Sequence, residues 1–254
     1  MTNLISLEKK VTISLQKKNI FGEKANIVLA IDISASMDKL YSKGVVQQVV
    51  ERLLAIGLNM DNNRQIDVFA FGRNAHEIQE ARESNIEGFV KNILLKKVRL
   101  EGSTYYAGVM NKIINKFGKP LTNTGEKKGF FSKMFGKKEE TSSNGETPKV
   151  PTFVFFITDG DNFDQDETTA LMQEVSEQPI FWQFVGISDP DQGYKTEFSF
   201  LKKLDDMKGR TVDNADFFQC DDIATIDDQE LYDRLLTEFP HWLKEVRNKG
   251  VLAQ

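Results

Sequence analysis

The chain has 254 residues, of which 40% are hydrophobic and 28% charged, and its formal net charge is −5. This composition indicates one large or two small globular domains, and the negative charge disfavours nucleic acid as a partner. Cys220 is the single cysteine, which excludes an intrachain disulfide and fits a reducing compartment. The start of the chain lacks the apolar stretch of a signal peptide, and no apolar run reaches the roughly 18 residues that span a bilayer. We therefore expect a cytoplasmic protein without stable membrane insertion.

Strands and helices alternate along the chain when its apolar residues are read for periodicity. The first element is a helix near the start, because Leu4, Leu7, Val11 and Leu15 share one helical face. Short apolar runs then predict strands over 25–33, 65–72, 75–81, 152–160, 179–187 and 215–220. Amphipathic spacing predicts helices over 43–60, 86–97, 103–118, 166–178, 197–207 and 229–250.

Two of these helices carry local signals at defined positions. Ser103 and Thr104 are hydroxyl residues that could cap the helix over 103–118. Pro240 should bend or interrupt the last helix, because proline removes a backbone donor and clashes with the preceding turn.

The alternation of strands and helices indicates an α/β fold with a doubly wound, mostly parallel central sheet flanked by helices. Residues 1–20 are interpreted as an N-terminal docking helix or extension, and residues 21–250 as the main domain. Residues 119–149 are rich in Gly, Ser, Thr and Lys and predict a flexible insertion in that domain. In such sheets ligands bind beyond the carboxyl ends of the central strands, so a functional site is expected there.

Five oxygen-bearing side chains are candidates for a divalent-cation site at that edge. They are Asp32, Ser34 and Ser36 after the first strand, Thr104 before a helix, and Asp159 at the end of the strand over 152–160. Oxygens bound to one small dication lie about 2.0–2.1 Å from it and hence roughly 3 Å apart, whereas alternate residues of an extended strand lie about 6.6 Å apart. A loop curling over the strand end can provide the shorter spacing. A single aspartate at the end of a strand more often caps a turn, but the presence of all five residues in this order along the chain favours metal binding.

The ordered set Asp32-x-Ser34-x-Ser36, Thr104 and Asp159 resembles the metal-ion-dependent adhesion site (MIDAS) of von Willebrand factor A (vWA) domains. Three later segments are similar to cytoplasmic bacterial vWA proteins associated with tellurium resistance. They are PIFWQFVGIS, FLKKLDDMKGRTVDNADFF and ELYDRLLTEFPHWLKEVRNKG. The resemblance covers about residues 20–254 apart from the insertion, which is longer and more basic than the family pattern. It implies a Rossmann-like vWA fold in which the serines and the threonine contact the ion directly and the aspartates often act through water.

The resemblance also implies a function. The expected function is a non-enzymatic module of a bacterial stress or tellurium-resistance system that binds an Asp or Glu of a partner protein through a divalent cation. Mg²⁺ suits the small all-oxygen site, and Mn²⁺ or Ca²⁺ are further candidates. Tyr105, Tyr106 and Asp161 are expected on the rim of the site, where they would face the partner.

Two alternatives stay open on the sequence alone. A Mg²⁺-dependent phosphotransfer enzyme of the haloacid dehalogenase type also places an aspartate at a strand end, but that chemistry requires Asp-x-Asp, and residue 34 is Ser. Alternatively, the chain is an interaction module whose metal site fills only when a partner binds. Serine-hydrolase and nucleotide-binding motifs are missing from the sequence.

Overall fold

A computed structural model describes residues 4–119, 149–189, 191 and 196–253. Its strands are β1 Asn26–Asp32, β2 Gln65–Phe71, β3 Ala75–Glu77, β4 Ala81–Arg82, β5 Thr152–Thr158, β6 Ile180–Ile187 and β7 Ala215–Cys220. Its helices are α1 Leu4–Lys17, α2 Asp38–Ser42, α3 Val45–Met60, α4 Leu95–Lys97, α5 Ala107–Phe117, α6 Gln165–Glu174, α7 Ser199–Asp205, α8 Asp228–Leu235 and α9 Phe239–Asn248. A 3₁₀ turn, Ala35–Met37, precedes α2, and a π-helical stretch, Val90–Leu94, leads into α4.

The strands form one sheet in the order β3-β2-β1-β5-β6-β7, with β4 paired to β2 outside this path. The five strands from β2 to β7 in that order are mutually parallel, and β3 and β4 run antiparallel to β2. β5 is buried along its whole length and β1 from its second residue onward, because helices cover both faces. The predicted doubly wound α/β fold is confirmed.

The residues of β5 show how the two faces are filled. Phe153 and Phe155 point into a core shared with α1, α3, α8 and α9, whereas Val154 and Phe156 point into a core shared with α5, α6 and α7. This alternation follows from the two-residue period of a strand. Strong apolar burial on both faces holds the central strands in place, and with them the loops at their ends.

A crevice is expected between the ends of β1 and β5, because the connections diverge there. The chain passes from β1 to β2 through α3 on one face, and from β5 to β6 through α6 on the other face. Such a reversal marks the carboxyl edge of a doubly wound sheet as the place for a ligand.

The two ends of the chain pack onto this sheet as helices. Leu7, Val11 and Leu15 of α1 are buried in the same core as α3, and the division into residues 1–20 and 21–250 stays a prediction. The last predicted helix is divided into α8 and α9. Pro240 lies in the first turn of α9, where a missing N–H has no intrahelical partner to lose.

Two further predictions concern membranes and the insertion. Among the described residues, no helix has both the length and the apolar character needed to cross a membrane. Residues 120–148, which make up nearly all of the predicted flexible insertion, lie outside the described residues.

Candidate metal centre

The first loop of the site follows β1 and turns sharply at Ser34. Asp32 ends β1 and is wholly buried, and its Oδ1 accepts a hydrogen bond from the Ser34 N–H at 2.6 Å. The Ser34 carbonyl then accepts from the Met37 N–H at 3.1 Å, which begins the 3₁₀ turn. Tyr41 Oη donates to the Asp32 carbonyl at 2.9 Å and ties α2 to the strand end. The chain therefore curls back over the end of β1, as the spacing of the oxygens required.

Ser34, Ser36 and Asp159 form a continuous chain of oxygens. Ser34 Oγ lies 3.0 Å from Ser36 Oγ, and Ser36 Oγ donates to Asp159 Oδ1 at 2.8 Å. Asp32 joins the cluster through the Ser34 N–H and through Thr158, whose hydroxyl donates to Asp32 Oδ2 at 2.5 Å. The structure thus brings four of the five sequence-predicted metal ligands together from the ends of β1 and β5.

The loop that carries Thr104 is hydrogen-bonded to both of the other loops. The Glu101 N–H donates to the Ile33 carbonyl at 2.7 Å, and the Glu101 carbonyl accepts from the Ala35 N–H at 2.8 Å. Thr104 is buried, and its carbonyl accepts from the Phe163 N–H at 3.0 Å. These bonds place the backbone of Thr104 between the other two loops. Direct participation of its hydroxyl in the cluster stays a prediction.

Asp164 was not identified from the sequence as a site residue, but it joins the loop that carries Thr104 to the loop that follows β5. Its two carboxylate oxygens accept from the Tyr106 N–H at 2.9 Å and the Ala107 N–H at 2.8 Å, at the start of α5. The expectation that Ser103 and Thr104 cap this helix is wrong: the helix begins at Ala107, and its cap comes from a residue nearly sixty positions later. The partner N–H groups are distant in sequence, so local spacing carried no signal for this contact.

Burial raises the pKa of Asp32 to about 7, and the nearby Asp159 carboxylate adds to the increase. Hydrogen bonds from Thr158 and Ser34 oppose it without cancelling it. Burial also raises the pKa of Asp159, against the hydrogen bond from Ser36. Because the pKa values of both carboxyl groups are raised, the positive groups around them do not balance their negative charge.

One observation indicates that the cluster can hold a small divalent cation that prefers oxygen ligands. Asp159 Oδ2 is buried and finds no hydrogen-bond partner among the described residues, although a buried carboxylate oxygen normally has one. Two hydroxyls and two carboxylates form the kind of all-oxygen set that Mg²⁺ and Ca²⁺ bind in proteins. A divalent cation would satisfy the orphan oxygen and favour the deprotonated carboxylates.

The rim of the site differs from the sequence-based expectation at one position. Tyr105 is 38% exposed and Asp161 is exposed, but Tyr106 is wholly buried. The expectation that Tyr106 lies on the rim is therefore wrong. Its ring packs on Phe156, and its hydroxyl donates to the Gly160 carbonyl at 2.5 Å. Tyr106 therefore stabilises the loop that carries Asp159 from the side of the core. Tyrosine is amphipathic, so residue type alone does not indicate which of two adjacent tyrosines faces inward.

Phe163 is the residue on the rim that sequence reasoning missed. Its side chain is 74% exposed and lies beside Tyr105, with ring centroids 5.9 Å apart. An isolated aromatic residue in the acidic stretch TDGDNFDQDE was the available signal, since that stretch has no strand or helix periodicity to explain it.

A second group of acidic side chains lies at the opposite edge of the sheet. Ligand atoms of Asp205, Asp216 and Glu238 lie within 4.8 Å of one another, near the amino end of β7. Burial and the neighbouring carboxylates, Asp216 first among them, raise the pKa of Asp205 to about 7. The three residues are distant in sequence and form no motif, so sequence reasoning did not find them.

Comparison with known sequences gives one family and one close relative. The sequence profile of the vWA-TerF-like family, described as "vWA found in TerF C terminus", matches residues 24–130 and 133–252. The chain is also 35% identical over 253 residues to "Uncharacterized protein YcbR" of Bacillus subtilis (strain 168), covering 98% of this chain and 90% of that protein.

Solved structures show more distant similarity. The ArnB paralog VWA2 from Sulfolobus acidocaldarius aligns at 14% identity with a TM-score of 0.47, covering 84% of this chain and 44% of that chain. Proximal thread matrix protein 1 from the mussel byssus, in a form with a zinc-occupied MIDAS motif, aligns at 16% identity with a TM-score of 0.44, covering 84% and 48%. This chain spans less than half the length of either solved protein, and at this distance neither similarity bears on what this chain binds.

Proposed function

Because the chain belongs to the vWA-TerF-like family, we propose that it is a non-enzymatic, metal-dependent protein-interaction module. The observation that carries this proposal is the chain of oxygens from Ser34 through Ser36 to Asp159, next to the buried Asp32 carboxylate. The protein-interaction part follows from the vWA family, and the metal dependence is supported by the geometry of the oxygens.

Asp32, Ser34, Ser36, Thr104 and Asp159 would hold the ion. When bound, the ion supplies a positive centre to which an Asp or Glu of a partner protein can bind. Mg²⁺ is the proposed ion, because an all-oxygen set of this size suits its short bonds, and Mn²⁺ or Ca²⁺ are the alternatives. Burial of the carboxylates means that the attraction to the cation is little screened by water.

The burial of Asp32 also argues against the phosphotransfer alternative. A nucleophilic aspartate must reach the phosphorus atom, whereas Asp32 is wholly buried and both of its carboxylate oxygens already accept hydrogen bonds, from Ser34 and Thr158. Ser34 occupies the position of the general acid in that chemistry and cannot replace it. A binding role for the site is therefore preferred.

The biological setting is part of the proposal. The family description links the domain to TerF, which agrees with the resemblance to bacterial tellurium-resistance proteins, so a stress or tellurium-resistance system in the cytoplasm is proposed. The net charge of −5 supports a protein partner over nucleic acid, since a surface of that sign repels phosphate.

Metal titration of matched serine variants tests the proposal. Ser36→Ala removes one hydroxyl from the oxygen cluster at an exposed position, so the fold should survive. Calorimetric titration with Mg²⁺ and Mn²⁺ should show one site per wild-type chain and an affinity at least about tenfold lower in the variant, because one ligand is lost. Ser42→Ala is the control, since its hydroxyl is exposed on α2 and donates to the Lys39 carbonyl.

The titration has two results that would contradict the proposal. Equal affinity in Ser36→Ala and wild type would place any bound ion elsewhere in the molecule. Absence of binding in the wild type without a partner, followed by binding when a partner protein is present, would favour the alternative in which the site fills only in the complex.

A further inference from the structure

Tyr105 and Phe163 form an exposed aromatic pair on the rim of the proposed metal site. Their ring centroids are 5.9 Å apart, and the planes are tilted by 32°. At 74%, Phe163 is the most exposed of the large apolar side chains among the described residues. An exposed pair of rings next to a functional site is apolar surface available to a partner.

The backbone attaches this pair to the loops of the metal site. Tyr105 directly follows Thr104, and Phe163 lies four residues after Asp159. The Phe163 N–H donates to the Thr104 carbonyl at 3.0 Å, and the Tyr105 N–H donates to the Gly72 carbonyl at 2.9 Å. These bonds fix the backbone of both aromatic residues within the loops of the proposed ligands, so little backbone ordering is needed when a partner binds.

The charges around the pair limit the chemistry of the partner. The loop that carries Phe163 and the first turn of α6 hold several acidic residues, namely Asp159, Asp161, Asp164, Asp166 and Glu167. A cation at the site would attract one carboxylate, but the remaining acidic groups would repel further negative charge. A polyacidic partner is therefore disfavoured, and apolar contact must supply the rest of the affinity.

We propose that Tyr105 and Phe163 form an aromatic shelf that selects partner segments in which a single Asp or Glu adjoins an aromatic or large aliphatic residue. The carboxylate binds at the cation, and the neighbouring apolar side chain packs on the shelf. This selectivity rests on the proposed function of the metal site and specifies the partner that the site takes.

Capped peptides and matched aromatic variants test the shelf. The probes are Gly-Phe-Glu-Gly, Gly-Ala-Glu-Gly and tetraglutamate, titrated into the full chain with Mn²⁺ and again with EDTA, and followed by calorimetry. With Mn²⁺, the Phe peptide should bind wild type about tenfold more tightly than the Ala peptide, which corresponds to about 1.4 kcal/mol. Tetraglutamate should bind no more tightly than the Ala peptide. With EDTA, all three should lose affinity.

The variants assign the selectivity to the two rings. Phe163→Ala and Tyr105→Ala should reduce the preference for the Phe peptide below about threefold, and Phe163→Leu should keep part of it. Phe21→Ala is the matched control, because Phe21 is 60% exposed and belongs to none of the three loops. Mn²⁺ affinity, measured without peptide, should be the same in all variants.

The outcomes separate the shelf from the metal site. Equal, metal-dependent binding of the Phe and Ala peptides overturns the shelf and leaves the proposed function standing. A preference for the Phe peptide that persists in Phe163→Ala and Tyr105→Ala also overturns the shelf. A preference that EDTA does not weaken contradicts the metal-dependent function and also overturns the shelf as proposed, because the shelf acts beside a metal-bound carboxylate. Failure of all three peptides to bind overturns both as well.

Discussion

The carboxyl group of Asp32 is completely buried, and the hydrogen-bond donors around it explain how the fold accommodates this group. Thr158 and Ser34 each donate to one of its carboxylate oxygens, and Tyr41 holds its carbonyl. Removing such donors leaves a buried acceptor unsatisfied, which costs more than the net value of the hydrogen bond itself. The residues around Asp32 therefore matter for stability as well as for any ligand.

Thr158→Val tests this dependence at the level of one hydroxyl. Valine keeps the shape of the side chain but removes the donor to Asp32 Oδ2. We expect the free energy of unfolding to fall by about 1–3 kcal/mol, because Asp32 Oδ2 loses its partner in the wholly buried site. Urea denaturation in the presence of EDTA measures the loss without a contribution from bound metal.

A threonine on a helix surface provides the control for this substitution. Thr169 is partly exposed on α6, and its hydroxyl donates to the Gln165 carbonyl of the preceding turn. Thr169→Val should change stability by no more than about 0.5 kcal/mol. A loss in Thr158→Val no larger than that of the control would show that the Asp32 contact contributes little.

At the scale of elements, Asp164 connects the loop after β5 to the start of α5. Its carboxylate accepts from two N–H groups that have no partner within the helix. Asp227 makes the same kind of cap for α8, but from its own chain neighbourhood, accepting from the Gln229 and Glu230 N–H groups. Each cap satisfies two backbone N–H groups, but Asp164 uses both carboxylate oxygens whereas Asp227 uses Oδ1 alone.

Alanine substitution of the two caps separates helix capping from loop organisation. Asp164→Ala and Asp227→Ala should each lower the free energy of unfolding by about 0.5–2 kcal/mol, as expected for loss of an N-cap. Asp164→Ala should in addition weaken Mn²⁺ binding, because the Thr104 and Asp159 loops lose two of the hydrogen bonds between them. Chemical denaturation and calorimetric titration measure the two effects.

Asp227→Ala should bind Mn²⁺ as tightly as the wild type. Equal Mn²⁺ affinity in both variants would mean that the remaining bonds, from Phe163 to Thr104 and from Tyr106 to Gly160, are enough to hold the two loops together.

At the scale of the whole molecule, clusters of carboxylates lie at both edges of the sheet. Asp32 ends β1 and Asp159 follows β5 at the carboxyl edge, whereas Asp205, Asp216 and Glu238 gather near the amino end of β7. Burial, followed by repulsion from Asp216 and Glu238 and from the charges of Asp206 and Asp213, raises the pKa of Asp205 to about 7. Burial, followed by repulsion from Asp216 and Asp213, raises the pKa of Glu238, and His241 and Arg210 oppose this increase without cancelling it.

The raised pKa of Asp205 predicts how stability depends on pH. The folded chain holds this proton up to about pH 7, whereas the unfolded chain releases it near the ordinary value of 3.8. Between these limits the folded state binds more protons, so the free energy of unfolding falls as pH rises. Asp205→Asn should flatten this fall and make the protein more stable than wild type at pH 8, as measured by denaturation from pH 4 to pH 8 with EDTA.

Asp221→Asn is the control, since Asp221 is exposed and lies outside the cluster. A fall in stability between pH 4 and pH 7 that is equally steep in Asp205→Asn and wild type would assign the pH dependence to other groups.

The sheet and the candidate ligands could be predicted from the sequence, because both predictions depend on local pattern. Apolar runs such as the one in β5 bury on both faces of any parallel sheet, and residues that follow such runs must meet at the carboxyl edge. Ser34 and Ser36 lie two residues apart, so the requirement that the chain curl at Asp32 was readable from their spacing.

Local pattern did not predict which side chains face inward or which distant groups meet. The burial of Tyr106, the cap that Asp164 gives to α5, and the pairing of Tyr105 with Phe163 each join residues from separate loops. The acidic group around Asp205 is also assembled from separate elements. Such contacts depend on how the elements pack, and packing is set by the summed burial of many residues, so no local sequence pattern encodes any of them.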